Sequence, residues 1–436
     1  MCRPSTATAV LLLSALLAGG CSRNRSASGG GGAVVTLTYW TSTNRQEVAL
    51  ATELVGKWNR LHPKIQVRMQ QLPVNQSTEE VIVAAVSAGT TPDICSNIWP
   101  GSVPEYARAG ALVRLNQFAD FDSLVRARMS EAAMAGFRSE DGNSYQIPWK
   151  TNPVMMIYNR QLFRRAGIAN PPRTYSEYLA DAGRLTFDEN HDGVVDHWMG
   201  YRDVRPIWWQ RFFDFYTLYC AAAGDRPIVE KGGVTADPQV CAEVFGFFAE
   251  CFRNGFYPKT FFQFDPFIAG NVATEFVGPW TISYIKENYA GQIDYGIVPV
   301  PVPDSYRGPE STYGDHKCMV IFSTSRHPAE AWEFLKFLVN EEADLRLLQV
   351  ASQIPVRRDI VWAPSYRSFF DANPDLRLFA SQALTAREVG QSPDEKEIFD
   401  TISQVFEECS VYNRSTPNEA AAALLKRIGA ILAWNR

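Results

Sequence analysis

The sequence predicts an α/β protein of two lobes, each built on its own sheet. Residues 34–97 alternate strand, helix, strand, helix and strand, the pattern of a parallel sheet with crossover helices. A second alternating unit opens near Tyr145. The chain from Cys21 to Arg436 is also long enough to bury two cores of ordinary size.

Ahead of the first strand, VLLLSALLAGGC (10–21) is too short to cross a bilayer, which needs roughly 20 apolar residues. With Arg3 before it and Ala18, Gly19 and Gly20 closing it, residues 1–20 read as an export signal. The small residues before Cys21 resemble a bacterial lipobox, in which Cys21 is acylated and anchors the chain to the membrane; Ala18 stands where most lipoboxes carry Leu. A plain export signal is the alternative. Residues 21–33 are polar and Gly-rich, a flexible tether.

VVTLTYW (34–40) is alternating and β-branched, a strand. Residues 45–61 place Val48, Ala51, Leu54, Val55, Trp58 and Leu61 on one helical face and stop before Pro63. IQVRM (65–69) is the next strand, Ser77-x-x-Glu80 a capping box opening a helix to Ala88, and PDICSN (92–97) the third strand. In the second unit, VMMIYN (154–159) is a strand, Gly167 closes a short helix, and Thr174-x-x-Glu177 caps another. Helices follow over 206–222 and 238–254, the latter striped by Val240, Val244, Phe247 and Cys251. Residues 293–303 and 318–322 read as strands; 328–339, 342–350, 374–384, 395–408 and 417–433 read as helices.

Formal net charge is −5, and no window gathers Lys and Arg as phosphate neutralisation requires, so nucleic acid is not an expected partner. Most of the 11 Trp, 17 Tyr and 26 Phe read as core, and those isolated in polar or Gly/Pro contexts suggest a ligand with flat apolar faces. Setting aside Cys2 and Cys21 leaves Cys95, Cys220, Cys241, Cys251, Cys318 and Cys409. Cys241 and Cys251 fall about 15 Å apart on one helix, too far to bridge; Cys220 with Cys241 is the pairing to test first. None has zinc-ligand spacing.

Several segments then stand together in order. They are TLTYWTS (36–42) with NRLHPKIQV after it, TTPDICSNIWPGSVPEYARAGALVRL (90–115) and YQIPWKTNPVMMIYNRQLFRRAGI (145–168). ATEFVGPWTI (273–282) and HPAEAWEFLKFLVNEEA (327–343) complete the set. The chain resembles the bacterial extracellular solute-binding proteins, the maltose-binding-protein-like receptors of ABC importers. The resemblance implies a type II periplasmic-binding-protein fold: two α/β lobes, a hinged ligand cleft, and a monomeric receptor that serves permease subunits. The lobes are expected as 34–147 with 297–342, and 148–296 with 343–436.

Open α/β sheets bind ligands beyond the carboxyl ends of their strands. The candidate site residues are therefore Trp40, Thr41 and Ser42 after the first strand, Asn97 and Trp99 after the third, and Lys150 and Asn152 after the Pro148 crossing. Trp280 ends the Gly278-Pro279 strand, Asp315 and His316 precede the 318–322 strand, and Gln353 precedes the returning Ile354. Arg202 and Trp208 belong to an aromatic and cationic cluster with Tyr201 and Trp209. Amides and carboxylates bond neighbouring hydroxyls while an indole covers a C–H face, a set suited to a pyranose. Each Trp is alternatively plain core. Lys150 and Arg202 either neutralise an acidic group on the ligand or pair with Asp315.

DENHDGVVDHWM (188–199) spaces Asp188, Asn190, Asp192 and Asp196 as the first, third, fifth and ninth positions of a calcium loop, with Gly193 at its turn. The twelfth position is Met199, so Asp203 or a distant carboxylate has to substitute. Calcium binding and a plain polar turn both fit, and no other cofactor is expected. The reading is therefore a lipid-anchored receptor, not an enzyme, that captures a sugar or oligosaccharide by hinge closure. An exported carbohydrate-active hydrolase is the alternative, though neither HExxH nor GxSxG occurs; so is a receptor for a sugar phosphate or other small anion.

Overall fold

The computed structural model describes residues 33–73, 78–205, 207–224, 226–390 and 392–434. The export signal, Cys21, the tether to residue 32 and Ser77 of the expected capping box lie outside the described residues.

Six strands form the first sheet, in the order Ile354–Pro355, Ile147–Thr151, Lys317–Ile321, Ile94–Ile98, Val35–Thr41, Ile65–Gln71. Val35–Thr41 runs parallel to both of its neighbours, with Leu37 opposite Val67 and Tyr39 opposite Ile94. Parallel neighbours need a crossover, and helix Arg45–Leu61 supplies the first. It starts where the Asn44 side chain accepts the amide hydrogens of Gln46 and Glu47, and it buries Leu50, Ala51, Leu54, Val55 and Trp58. Leu61, expected on that stripe, is 58% exposed at the last residue of the helix.

The second sheet orders Tyr295–Val298, Met155–Asn159, Val272–Val277 and Trp198–Gly200. The last two are parallel, so they end on the same side. Helices Tyr175–Leu185, Phe215–Ala222, Pro238–Arg253, Glu395–Phe406 and Pro417–Trp434 bury an aromatic core that includes Tyr178, Phe245, Phe248, Phe399 and Leu424. Thr174 and Glu177 form the expected reciprocal cap. The helix expected over 206–222 is broken: a short turn at Trp208–Phe212 precedes Asp214, whose carboxylate accepts the Phe215 amide and starts a new helix.

Sheet membership moves the lobe boundaries. Pro148–Thr151 remains in the first sheet, whereas Ile297 and Val298 pair with Met155–Asn159 in the second. Ala343, Leu347 and Ala351 pack in one core with Leu50 and Leu54 of the first lobe, and Ile354–Pro355 adds the edge strand there. The crossings thus fall near 152, between 299 and 316, and after 355. Apolar partners at the boundary decide this, and the sequence pattern alone does not name them.

Cys95, Cys220, Cys241, Cys251, Cys318 and Cys409 are all free and buried, so the Cys220–Cys241 pairing does not form. Burial pushes the Cys95 and Cys241 thiols up to about 12, which leaves them inert packing groups. Among the described residues no helix is long and apolar enough to cross a membrane.

Candidate functional site

The first helix brings a carboxylate to the crossing strands. Glu47, in its first turn, is only 4% exposed. Its Oε1 accepts from Lys150 Nζ at 2.6 Å and from Gln353 Nε2 at 2.5 Å. Gln353 reaches it because Ser352 closes helix Glu341–Ala351 in the left-handed region, at φ 53°. Three segments far apart in sequence therefore meet on one oxygen. Burial pulls the Lys150 ammonium below its ordinary range, and the charge and hydrogen bond of Glu47 oppose that fall.

A second cluster adjoins it. Asn152 Nδ2 donates to Asp315 Oδ2 at 3.3 Å, and Lys317 Nζ donates to Asp315 Oδ1 at 3.0 Å. Burial works against the Lys317 charge, but Asp315, supported by Glu79 and Glu388, outweighs it and holds the ammonium up at about 12. Lys317 and Lys150 are direct cross-strand neighbours, so each needs its carboxylate. Lys150 pairs with Glu47 and not with Asp315, which settles one of the alternatives for that residue.

Successive residues of a strand face opposite sides, so Thr151 turns away from Lys150 on strand Ile147–Thr151. Asp315 and His316 lie just ahead of strand Lys317–Ile321, with Asp315 in the left-handed region at φ 41°, and their side chains part there. His316 takes the Glu388 carboxylate on its amide and Nδ1, at 2.7 and 2.9 Å, and sits edge-on to Phe137. On that face a cavity of about 730 Å³ opens, lined by Arg128, Phe137, Thr151, His316, Arg357 and Glu388 among others, and it includes none of Glu47, Lys150 and Gln353. His316 thus leaves the predicted cluster.

The lobes meet again at the ends of the first-sheet strands. Trp99, 3% exposed, leaves the first sheet and packs among Trp208, Phe212 and Phe399 of the second lobe, 5.1 to 6.5 Å between ring centres. Gln46 Nε2 donates to Glu287 Oε2 across the lobes at 2.6 Å. Trp280 is not the end of a strand: Val272–Val277 stops earlier, and Trp280 opens helix Trp280–Asn288. Its ring lies over Gly278, where a Cβ would come within 2.0 Å of the indole, and stands edge-on to Phe213. Arg202 follows the parallel strand beside it and lays its guanidinium 4.5 Å from the Phe276 ring. Trp40 and Asn97 are half-buried at the ends of their strands, while Thr41 and Ser42 are buried, Ser42 Oγ accepting the Asn44 amide.

Five buried polar atoms at these residues have no partner: Glu47 Oε2, Gln353 Oε1, Asn152 Oδ1, Trp99 Nε1 and Arg202 Nε. Buried polar atoms are nearly always paired, so these three acceptors and two donors are short of a polar ligand or water. Others occur elsewhere in the chain, as at Tyr175 and Tyr366. Sequence reading missed Glu47, Lys317 and Glu388. Asn44-x-x-Glu47 looks like a helix-start signature, and only the fold shows Glu47 turned toward Lys150.

The Asp-rich loop closes on itself. Asp188 accepts the Asp192 and Gly193 amides, Asn190 the Asp192 amide, Asp192 the Val194 amide and Asp196 the Glu189 amide. Met199 is fully buried core, and Asp203 is held by Arg205. Among the described residues no group of three or more His, Cys, Asp or Glu is gathered as a metal site.

A sequence model described as "Bacterial extracellular solute-binding protein" matches residues 42–344. Three Brucella proteins, whose names give them a binding role and no ligand, are 25% identical over 283 residues; the match covers 62% of this chain and 64% of theirs. The chain thus spans just under two thirds of the curated relatives it matches first. The diacetylchitobiose-binding protein of Streptomyces coelicolor is 25% identical over 340 residues, 73% of each chain. The crystal structure of the sugar-binding protein MalE of Xanthomonas citri shares the fold, with a TM-score of 0.72 at 19% identity over 92% of this chain and 98% of that one. The type II binding-protein fold expected from the sequence is the one present.

Proposed function

The chain belongs to the bacterial extracellular solute-binding protein family, and from that premise we propose that it captures a carbohydrate between its lobes and hands it to an ABC permease without altering it. The observation that supports this reading is the set of unpartnered buried atoms on Glu47, Gln353, Asn152, Trp99 and Arg202, drawn from both lobes, together with the indoles Trp99 and Trp208 that meet across the lobes. Sugar hydroxyls donate to the three acceptors and accept from the two N–H groups, and the C–H faces pack on the rings. Because the groups come from both lobes, bound ligand stabilises the lobes-together state, and the permease responds to that state. The relative named for diacetylchitobiose supports a carbohydrate as cargo.

A neutral ligand is favoured over an anion, since Lys150 and Lys317 already hold Glu47 and Asp315. In the same reading the protein is exported, held at the membrane by acylated Cys21 on the 22–33 tether, and acts as a monomer. Titration calorimetry against neutral oligosaccharides tests the proposal. One ligand per chain, recovered unchanged, supports it; turnover, or binding confined to phosphorylated sugars, overturns it.

A further inference from the structure

Beyond the interlobe site, the second lobe carries an aromatic shelf with two rings more than half exposed. The segment 259–267 reads KTFFQFDPF. Phe262 and Phe267 are its anchors: Phe262 packs edge-on to Trp198 and Tyr201, 5.8 and 5.2 Å between ring centres, and Phe267 is 2% exposed. Phe261 and Phe264 point outward, 53% and 54% exposed. The segment is held rather than loose, because the Asp265 carboxylate accepts the amides of Phe267 and Ile268. Arg205, itself fixed on Asp203, stacks its guanidinium 4.3 Å from the centre of the Phe261 ring.

The shelf is continuous with the site. Tyr201, against which it rests, and Arg202 follow strand Trp198–Gly200, which is parallel to Val272–Val277 and ends on the side where Gly278 and Trp280 stand. Tyr284, 40% exposed, lies one turn beyond Trp280 on the same helix, about 6 Å along its axis. Rings fixed beside ordered polar groups, in line with a polyhydroxyl site, suit the alternating C–H faces and hydroxyls of a sugar chain better than a protein or lipid surface.

We propose that Phe261 and Phe264 bind the distal units of an oligosaccharide whose first units occupy the interlobe site, so the cargo is a chain and not a monosaccharide. This rests on the carbohydrate reading above. The test is calorimetry with chito-, arabino-, malto- and manno-oligosaccharides of two to six units, on the wild type and on Phe261→Ala/Phe264→Ala, with Phe261→Leu/Phe264→Leu keeping bulk without rings. In the series that binds, affinity is expected to rise with length in the wild type. Both double variants are expected to lose at least tenfold for the hexamer, with the dimer unchanged. Equal loss on dimer and hexamer, or no loss on the hexamer, overturns the shelf while leaving the carbohydrate reading standing. Wild type that binds none of the four series overturns both.

Discussion

Removing the Glu47 carboxylate is the sharpest perturbation of the buried cluster. At 2.6 Å from Lys150 Nζ, its attraction in an effective dielectric of about 20 amounts to about 6 kcal/mol. Desolvation of both groups offsets much of that, but Glu47→Ala strands an ammonium whose side chain is 2% exposed, and losing one partner of such a pair costs about 3–5 kcal/mol. Gln353 loses its acceptor as well. Lys150 already titrates below its ordinary range, and without Glu47 it falls further. The unfolded chain then binds more protons than the folded one between the depressed value and the ordinary one, so stability rises with pH in that window. Urea unfolding at neutral pH is expected to show the full deficit, and the gap to wild type is expected to narrow as pH climbs toward the wild-type Lys150 value. Glu47→Leu/Lys150→Met is expected to recover most of the loss, since a buried pair replaced by apolar groups is often neutral. A deficit of less than about 1 kcal/mol, well below that range, or one that does not change with pH, would refute the reasoning.

Trp280→Ala is expected to weaken ligand binding at least tenfold, about 1.4 kcal/mol, with the unfolding transition retained; calorimetry and circular dichroism check both halves, and Gly278→Ala should act in the same direction by displacing the ring. Calcium at millimolar concentration is expected to leave the melting temperature unmoved, because the loop oxygens at 188–196 already serve backbone amides; a rise reversed by chelation would reinstate the metal. Cys21→Ser should release the exported protein into the soluble fraction, as fractionation and immunoblotting would report, and retention in membranes would exclude acylation as the anchor.

The elements were largely legible because their signals are local. Asn44 before an apolar stripe, the Thr174 and Glu177 pair, and Pro238 opening a helix each act within a turn or two. What was not legible depends on long-range company. Trp280 reads as a strand end from Gly278-Pro279, yet those two residues serve a helix start. Asp315 and His316 are adjacent in sequence and part company at a left-handed Asp315, φ 41°, just ahead of strand Lys317–Ile321. Glu47 carries a capping signature and is instead drawn to a lysine 103 positions away, which no short window shows. The spacing at 188–199 tells which oxygens come near one another, and the structure adds that they accept the backbone amides of a tight turn.

Small-angle scattering during a titration with the tightest-binding oligosaccharide, paired with chromatography of the recovered sugar, tests the central claim most directly. The account predicts a narrowing of the particle that saturates at one ligand per chain, with the sugar returned intact. Scattering that does not change while binding saturates, or sugar returned in shorter pieces, would contradict it.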